Sequence, residues 1–231
     1  MNYQEKQNNK VYILGEVLTK AEFSHEVYGE GFYEMNVSVS RLSGQKDVLP
    51  VTISERLIEA NKLDVGSTLC AVGQFRSYNK MCDGKSRLML TVFVREIFND
   101  VFTKNPNSIA LSGYICKAPV YRTTPFNREI TDILLAVNRS YNKSDYIPCI
   151  AWGRNARFVK NLSVGDKLAL SGRIQSREYT KKISETESRV MTAYEVSVSR
   201  LAAFDSADDF DLSLDFNKDC KQPDEACRII I

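Results

Sequence analysis

The chain has 231 residues, of which 43% are hydrophobic and 26% are charged, and its net charge is +2. These values are ordinary for a globular protein with one large or two small cores, and no apolar run approaches the roughly 20 residues that span a bilayer. The six cysteines form no CxxC pair and His25 is the only histidine, so the sequence predicts neither a metal site nor a cofactor.

The chain begins with a polar stretch, "MNYQEKQNNK", which lacks the apolar core of a signal peptide, and we expect a cytoplasmic protein. Five segments rich in apolar, β-branched and aromatic residues follow. They are "YILGEV", "MNVSVSR", "DVLPVTISERL", "LDVGSTLCAVGQF" and "TVFVREI". The next stretch, "TKNPNS" (103–108), is polar and contains a proline, which is typical of a short linker.

The same five segments recur after the linker in the same order. Their counterparts are "ALSGYI", "ILLAVNR", "DYIPCIAWGRN", "LSVGDKLALSGRI" and "EVSVSRL". Pro50 and Pro148 lie 98 positions apart, as do Gly15 and Gly113. A fixed, ordered set of matches indicates two copies of one domain. We expect the copies at 10–102 and 107–204, followed by a tail at 205–231.

The second copy shows the element order most clearly. Alternating patterns predict strands near 108–116, 130–139, 146–152, 166–177 and 189–201. "RNARFVKNL" (154–162) lies between the third and fourth strands and predicts one helix. Five strands with a helix at this place are the order of an OB-fold, a small Greek-key barrel. The predicted fold is therefore all-β, with two tandem five-stranded OB-fold barrels and a disordered acidic C-terminal tail.

Charge is distributed unevenly over these three parts. Residues 1–105 carry 13 basic and 13 acidic side chains, whereas residues 106–204 carry 15 basic and 8 acidic ones. Residues 205–231 carry 3 basic and 8 acidic side chains. A neutral first copy, a basic second copy and an acidic tail predict three different roles.

Several motifs of the second copy occur together in one known family. They are "NSIALSGYI", "VYRTTPFN", "ILLAVNRSY", "DYIPCIAWGRNARFV", "LSVGDKLALSGRIQSREY" and "YEVSVSRL". In these motifs, residues 107–204 resemble the bacterial single-stranded DNA-binding protein family. The resemblance implies binding of single-stranded DNA without sequence recognition, in DNA replication, recombination or repair.

Carried over position by position, the family's stacking rings fall on Tyr141, Tyr146, Trp152 and Tyr179. Unpaired bases expose flat faces on which such rings stack, whatever the base. Tyr146 and Trp152 are six positions apart and share one face of a strand, but alternation alone does not decide whether that face is the core. The aligned positions of the first copy are Ser43, Val48, Ser54 and Lys80.

Cations close to these rings are the candidates for phosphate contacts. They are Arg122, Arg139, Lys143, Arg154, Arg157, Arg173 and Arg177. For each of them alone, a solvated surface charge is an equally good interpretation. The first copy, a degenerate OB-fold in this interpretation, offers only a weak electrostatic contact, through residues such as Arg41 and Arg76.

The alternative interpretation is a primosome-type accessory protein or scaffold that uses its OB-folds mainly for protein–protein interaction. An enzyme is not predicted, because no carboxylate cluster, nucleophile–base pair or phosphate-binding glycine loop is present in the sequence. The resemblance also implies replication or repair partners for the acidic tail, although "ACRIII" departs from the family's acidic ending. Family members assemble four barrels, which for two barrels per chain implies a homodimer.

Overall fold

A computed structural model describes residues 8–82, 84–99, 105–182, 188–203, 210 and 212. This part of the chain contains twelve strands and two short helices. The first copy contains β1 (Asn9–Val17), β2 (Glu22–Val27), β3 (Glu30–Ser40), β4 (Lys46–Ser54), α1 (Glu55–Asn61), β5 (Thr68–Cys82) and β6 (Lys85–Ile97). The second contains β7 (Asn107–Ile115), β8 (Val120–Thr123), β9 (Glu129–Asn138), β10 (Ser144–Trp152), α2 (Gly153–Val159), β11 (Lys167–Lys182) and β12 (Ser188–Ala203).

Each copy closes into a barrel. In the first, β1 pairs with both β3 and β5, and β4 pairs in parallel with β6. In the second, β7 pairs with both β9 and β11, and β10 pairs in parallel with β12. Each copy has one helix, α1 between β4 and β5 in the first and α2 between β10 and β11 in the second. The all-β OB-fold prediction is thus confirmed, and we call the two units the first and the second barrel.

One strand per barrel was not predicted. β2 and β8 each pair with the following strand to form a hairpin, and every residue of both strands is exposed. A strand with no buried face produces no alternation of apolar and polar residues. The closed ring of each barrel therefore has the five predicted strands, and β2 or β8 lies outside it as a sixth strand of the copy.

Strand β10 shows how alternation builds the barrel and leaves a binding face outside. Ile147, Cys149 and Ala151 are buried in the main hydrophobic core. Tyr146, 45% exposed, and the partly buried Trp152 lie on the opposite, outer face. The ambiguity left by the sequence is resolved, since the two rings are not part of the core.

The two barrels share one continuous sheet. β1 and β7 run antiparallel, with Asn9 opposite Leu111, Val11 opposite Ile109 and Ile13 opposite Asn107. Because Asn9 and Asn107 are equivalent in the two copies, this register relates the barrels by a pseudo-twofold axis near the Val11–Ile109 pair. The same main hydrophobic core contains buried side chains from both barrels.

Two glycines allow the long strands to bend over the barrels. Gly73 and Gly172 lie at register shifts in the β5–β6 and β11–β12 ladders. A Cβ atom at Gly73 would collide with the carbonyl oxygen of Phe93, and one at Gly172 with that of Ser197. Only glycine permits such a close approach of two backbones at a bulge.

Most of the expected tail, 205–231, lies outside the described residues. Of its two described residues, Leu212 packs against a small apolar cluster of Tyr12, Cys70 and Ala110 on the outer sheet. Phe210 lies beneath the Arg200 guanidinium, 5.9 Å from Cζ to the ring centroid. Within the described residues, neither helix has the length and apolar composition needed to cross a bilayer, and no group of three metal-ligating side chains occurs there.

Candidate nucleic-acid interface

Trp152 ends β10 on the outer face of the second barrel. Its register partner on β9 is Ile130, and its indole Nε1 donates a hydrogen bond of 3.2 Å to Ser197 Oγ on β12. The bond crosses to the strand that pairs in parallel with β10. Strand geometry and one hydrogen bond therefore fix the ring in place while part of it remains accessible.

An open groove of about 1090 Å³ adjoins this ring. Among the described residues, five cationic side chains line it, together with a single carboxylate, Glu178; the cations are Arg41, Lys46, Arg128, Arg173 and Arg177. We call it the second-barrel groove. Arg41 and Lys46 come from the first barrel, so this groove crosses the boundary between the two copies. A partly exposed ring beside an excess of positive charge suits a ligand with both flat faces and phosphates.

Arg173 is a partly buried cation of the groove. Its Nη2 donates to Gln175 Oε1 at 3.2 Å, whereas its buried Nε has no hydrogen-bond partner among the described residues. Burial lowers the pKa of Arg173, the positive charge of Arg41 lowers it further, and Asp47 acts in the opposite direction. A buried donor short of a partner is costly, and an anionic oxygen in the groove would supply one.

Arg41 is held at the groove by a buried carboxylate. Arg41 donates to both oxygens of Asp47, at 2.6 and 2.7 Å, in a bidentate pair. Asp47 Oδ1 also accepts from the backbone N–H and the hydroxyl of Ser176, at 2.8 and 3.1 Å. Burial alone would raise the pKa of Asp47, but these hydrogen bonds and the charge of Arg41 outweigh it and lower the pKa. The bridge therefore ties the first barrel to the floor of the second-barrel groove.

The equivalent bridge on the other side of the pseudo-twofold axis is looser. Asp145 Oδ1 accepts from the Ser77 backbone N–H at 2.7 Å, and Arg139 Nη1 approaches the same oxygen at 3.5 Å. Asp145 Oδ2 is buried without a hydrogen-bond partner among the described residues. Burial raises the pKa of Asp145, and the Ser77 bond and nearby arginines offset this only in part.

The four predicted rings do not meet in one place. Trp152 alone lies in the second-barrel groove. Tyr141, 81% exposed, lies in a different groove that borders the first barrel, together with Arg139 and Lys143. Tyr146 is 45% exposed, and its backbone N–H donates to Ser77 Oγ at 2.8 Å, so it stands at the junction of the barrels. Tyr179, 39% exposed, lies near the C-terminal end of β11, and Arg177 Cζ is 5.9 Å from its ring centroid.

The backbone presents Tyr141 at the tip of its turn. Tyr141 and Asn142 have φ angles of 61° and 54°, and Arg139 N–H closes the turn on Lys143 C=O at 2.7 Å. A left-handed conformation is uncommon for a bulky residue such as tyrosine. The turn thus holds the ring away from the strands.

The predicted cations divide into two sets. Arg173 and Arg177 line the second-barrel groove, and Arg139 and Lys143 line the other. Arg122, Arg154 and Arg157 line neither. Arg122 forms a two-bond pair with Asp132, at 2.7 and 3.2 Å, and Arg157 lies 3.2 Å from Glu129, while Arg154 is exposed on α2. These three side chains have solvated or paired positions outside the grooves.

Sequence reasoning missed three cations of the second-barrel groove as members of this site. Arg128 lies in the β8–β9 turn, and Arg41 and Lys46 flank the β3–β4 turn of the first barrel. Arg128 immediately follows the quoted motif "VYRTTPFN" and could have been found from it. The first-barrel residues could not, because the pairing of β1 with β7 that brings the barrels together has no sequence signal.

Comparisons with known proteins agree with this geometry. Residues 106–202 match the family described as "Single-strand binding protein family". Single-stranded DNA-binding protein 1 of Staphylococcus aureus is 39% identical over 80 residues, which cover 32% of this chain and 48% of the relative. The single-stranded DNA-binding protein of Clostridium tetani is 36% identical over 83 residues, covering 33% and 57%. The chain spans about half the length of the curated relatives it matches.

The wild-type single-stranded DNA binding protein from Thermus aquaticus has a solved structure similar to this one. The TM-score is 0.65, with 21% identity, and the match covers 84% of this chain and 92% of that one. At this identity the likeness concerns the fold. It extends over more of the chain than the family match does. Residues 106–202 are thus similar to the single-strand binding protein family, and the likeness of the whole chain to a solved structure concerns the fold.

Proposed function

We propose that the protein binds single-stranded DNA without sequence recognition, with the second-barrel groove as its principal site. The observation that carries this proposal is the position of Trp152. The only tryptophan of the chain lies on an outer barrel face, in a groove with five cations and one carboxylate. Unpaired bases stack on such a ring with about 1–3 kcal/mol each, and cations beside it neutralise the phosphates.

The other predicted residues have a place in the same proposal. Tyr146, Tyr141 and Tyr179 extend the stacking surface beyond the groove, toward the barrel junction and along β11. Arg173 and Arg177 contact phosphates in the groove, and Arg139 and Lys143 contact them beside Tyr141. Arg122, Arg154 and Arg157 add to the positive field of the second barrel at longer range.

Tryptophan fluorescence tests the proposal directly, because Trp152 supplies the whole signal. Titration of the full chain with oligo-dT is expected to quench most of the emission, and the affinity is expected to fall as salt rises. Unchanged emission at saturating oligo-dT, with binding absent in a parallel anisotropy experiment, would reject the proposal. Unchanged emission with intact binding would move the site away from Trp152.

Substitution gives the first quantitative prediction. Trp152→Ala should weaken binding of labelled oligo-dT by about 1–3 kcal/mol, because one stacked base loses its partner. The matched control is Phe126→Ala, which removes an aromatic ring that is 87% exposed and lies in the β8–β9 turn of the same barrel. Fluorescence anisotropy measures both affinities, and equal losses in the two variants would contradict a specific role for Trp152.

We also propose a homodimer with four barrels, acting in replication, recombination or repair, with protein partners recruited by the acidic tail. Light scattering should then give a mass about twice the 26.2 kDa of one chain. Pull-downs with and without residues 205–231 test the tail. A monomer in solution, or identical partners after truncation, would remove the corresponding part of this proposal.

A further inference from the structure

The first barrel carries aromatic rings on its outer face, although its positions aligned with the predicted stacking rings are not aromatic. His25 on β2 stacks on Phe32 on β3, with ring centroids 5.2 Å apart and planes inclined by 13°. Phe32 in turn lies 5.5 Å from Phe93 on β6. His25 is exposed, and Phe32 and Phe93 are both partly exposed. The row therefore crosses the barrel surface at the level where Ser54 replaces the tryptophan.

Arginines accompany this row. The Arg76 guanidinium lies over the Phe93 ring, 3.7 Å from Cζ to the centroid, and Arg95 Cζ lies 5.4 Å from it. Two hydrogen bonds from Arg76 to Gln74 Oε1, at 3.2 and 2.9 Å, fix the orientation of the guanidinium. Arg76 is partly exposed, and bases stack on guanidinium planes as they do on rings.

A groove of about 460 Å³ begins at these arginines. Four cations line it, Arg76 and Arg95 from the first barrel and Arg139 and Lys143 from the second, and no carboxylate occurs among its described lining residues. Tyr141 stands in the same groove. We call it the first-barrel groove. It combines an exposed ring, positive charge and the start of an aromatic row.

The two barrels place these groups differently. In the second barrel Trp152 on β10 donates to Ser197 on β12; in the first barrel the equivalent positions are Ser54 on β4 and Phe93 on β6. Along the neighbouring strand, Arg173 and Gln175 of the second barrel correspond to Gln74 and Arg76 of the first. The ring and the arginine thus occupy different aligned positions in the two barrels, but each barrel has one ring and one arginine in this region.

We propose that the first barrel carries a second single-strand-binding site, in which Phe93, Arg76 and Arg95 bind unpaired bases and phosphates and Tyr141 reaches in from the second barrel. The class of ligand rests on the proposed function. The site itself rests on the ring row and on the first-barrel groove, neither of which overlaps the second-barrel groove.

The sole tryptophan can be moved to test this. In a Trp152→Phe background, Phe93→Trp places the only indole in the first barrel. Addition of dT8, whose length suits one barrel at about 4–16 nucleotides per OB-fold, should quench it. The control is Phe23→Trp in the same background, because Phe23 lies on β2, 61% exposed, and packs edge-on against Tyr33 instead of the row. Quenching of Phe93→Trp alone supports the site, and equal or absent quenching overturns it.

Stoichiometry gives a second readout on the full chain without a new tryptophan. At protein concentrations well above the dissociation constant, the natural sequence should bind two labelled dT8 molecules per chain. Arg76→Gln combined with Phe93→Ser should bind one, with Trp152 quenching retained. The matched control for the arginine is Arg56→Gln, an exposed arginine on α1 paired with Glu30. A thermal unfolding curve for each variant confirms that it is folded.

The outcomes separate the two proposals. One dT8 per chain with full Trp152 quenching leaves the proposed function intact and overturns the second site. Binding that is lost on Phe93→Ser and Arg76→Gln but leaves Trp152 emission unchanged supports the first-barrel site and rejects the second-barrel one. Two molecules bound by both the natural sequence and the double variant overturn the first-barrel site.

Discussion

The two barrels differ less in what they carry than in where they carry it. The second has Trp152 on β10 and Arg173 on β11; the first has Phe93 on β6 and Arg76 on β5. A position-by-position alignment shows this as a loss of the ring and the arginine from the first copy, because Ser54 aligns with Trp152 and Gln74 aligns with Arg173. On the folded surface it is an exchange between neighbouring positions of the sheet. The ring has moved between adjacent strands and the arginine by two positions along one strand, with the framework unchanged.

The junctions differ in a way that follows the same axis. Asp47 satisfies Arg41 and Ser176 together, while Asp145 binds Ser77 closely and Arg139 only at 3.5 Å. Both carboxylates are fully buried. A buried carboxylate stabilises a fold only when its partners offset the cost of removing it from water. The Asp47 bridge fulfils this condition and the Asp145 bridge does so incompletely.

The largest expected effect tests this difference between the bridges. Asp47→Asn should destabilise the protein by about 1.5–3 kcal/mol, because Arg41 loses charged hydrogen bonds to a carboxylate. Asp145→Asn should cost much less, since the amide oxygen still accepts from Ser77 and the poorly compensated charge disappears. Urea unfolding at neutral pH measures both, and equal losses would show that the bridges are equivalent.

The contributions of the two ionised carboxylates to folding stability should have opposite signs, so the two variants should differ from the natural sequence in opposite directions. The pKa of Asp47 lies below its ordinary value of 3.8, so its ionised form stabilises the fold above that pH, and this contribution disappears as pH falls through the lowered pKa. The pKa of Asp145 lies above 3.8, so its ionised form is destabilising, and protonation relieves the cost as pH falls through the raised pKa. Relative to the natural sequence, the deficit of Asp47→Asn should shrink below about pH 4. Any advantage of Asp145→Asn should already shrink above that value.

A smaller effect concerns the hydroxyl that orients Trp152. Ser197→Ala removes the acceptor of the indole N–H and should weaken oligo-dT binding by about 0.5–1.5 kcal/mol. The fold should persist, because the first barrel carries Phe93 at the equivalent position. Anisotropy titration against Ser163→Ala, in the turn after α2, gives the comparison. An undiminished affinity would mean that packing alone positions the ring.

The smallest effect tests the sharing of residues across the junction. Lys46 belongs to the first barrel but lines the second-barrel groove. Lys46→Ala should reduce the salt dependence of binding by about 0.7 log units of affinity per log unit of salt, the amount for one phosphate contact on a single strand. Lys20→Ala, exposed between β1 and β2 and outside both grooves, is the control. An unchanged slope would show that Lys46 contacts no phosphate.

The sequence predicted the fold well because the repeat supplied each element twice. Alternation and spacing predict β10 and α2, but they leave the core face of β10 open, and α2 ends at Val159 rather than at residue 162. The fully exposed β2 and β8 produced no such signal. Of the predicted site residues, Trp152, Arg173 and Arg177 lie in one groove and Tyr141 lies in the other. The pairing of strands across the junction decides which residues line which groove. Pairing between segments that are distant in the sequence cannot be predicted from local alternation.

The covalent link between the two copies has a consequence for their divergence. In a pair formed by two identical chains, every substitution changes both halves, so a ring cannot leave one half without leaving the other. Here β1 and β7 reproduce such a pairing within a single chain. Each half can therefore vary alone. A nucleic acid that follows the surface would then contact two different binding sites in a fixed order. The pseudo-twofold axis thereby acquires a polarity that a true twofold cannot have.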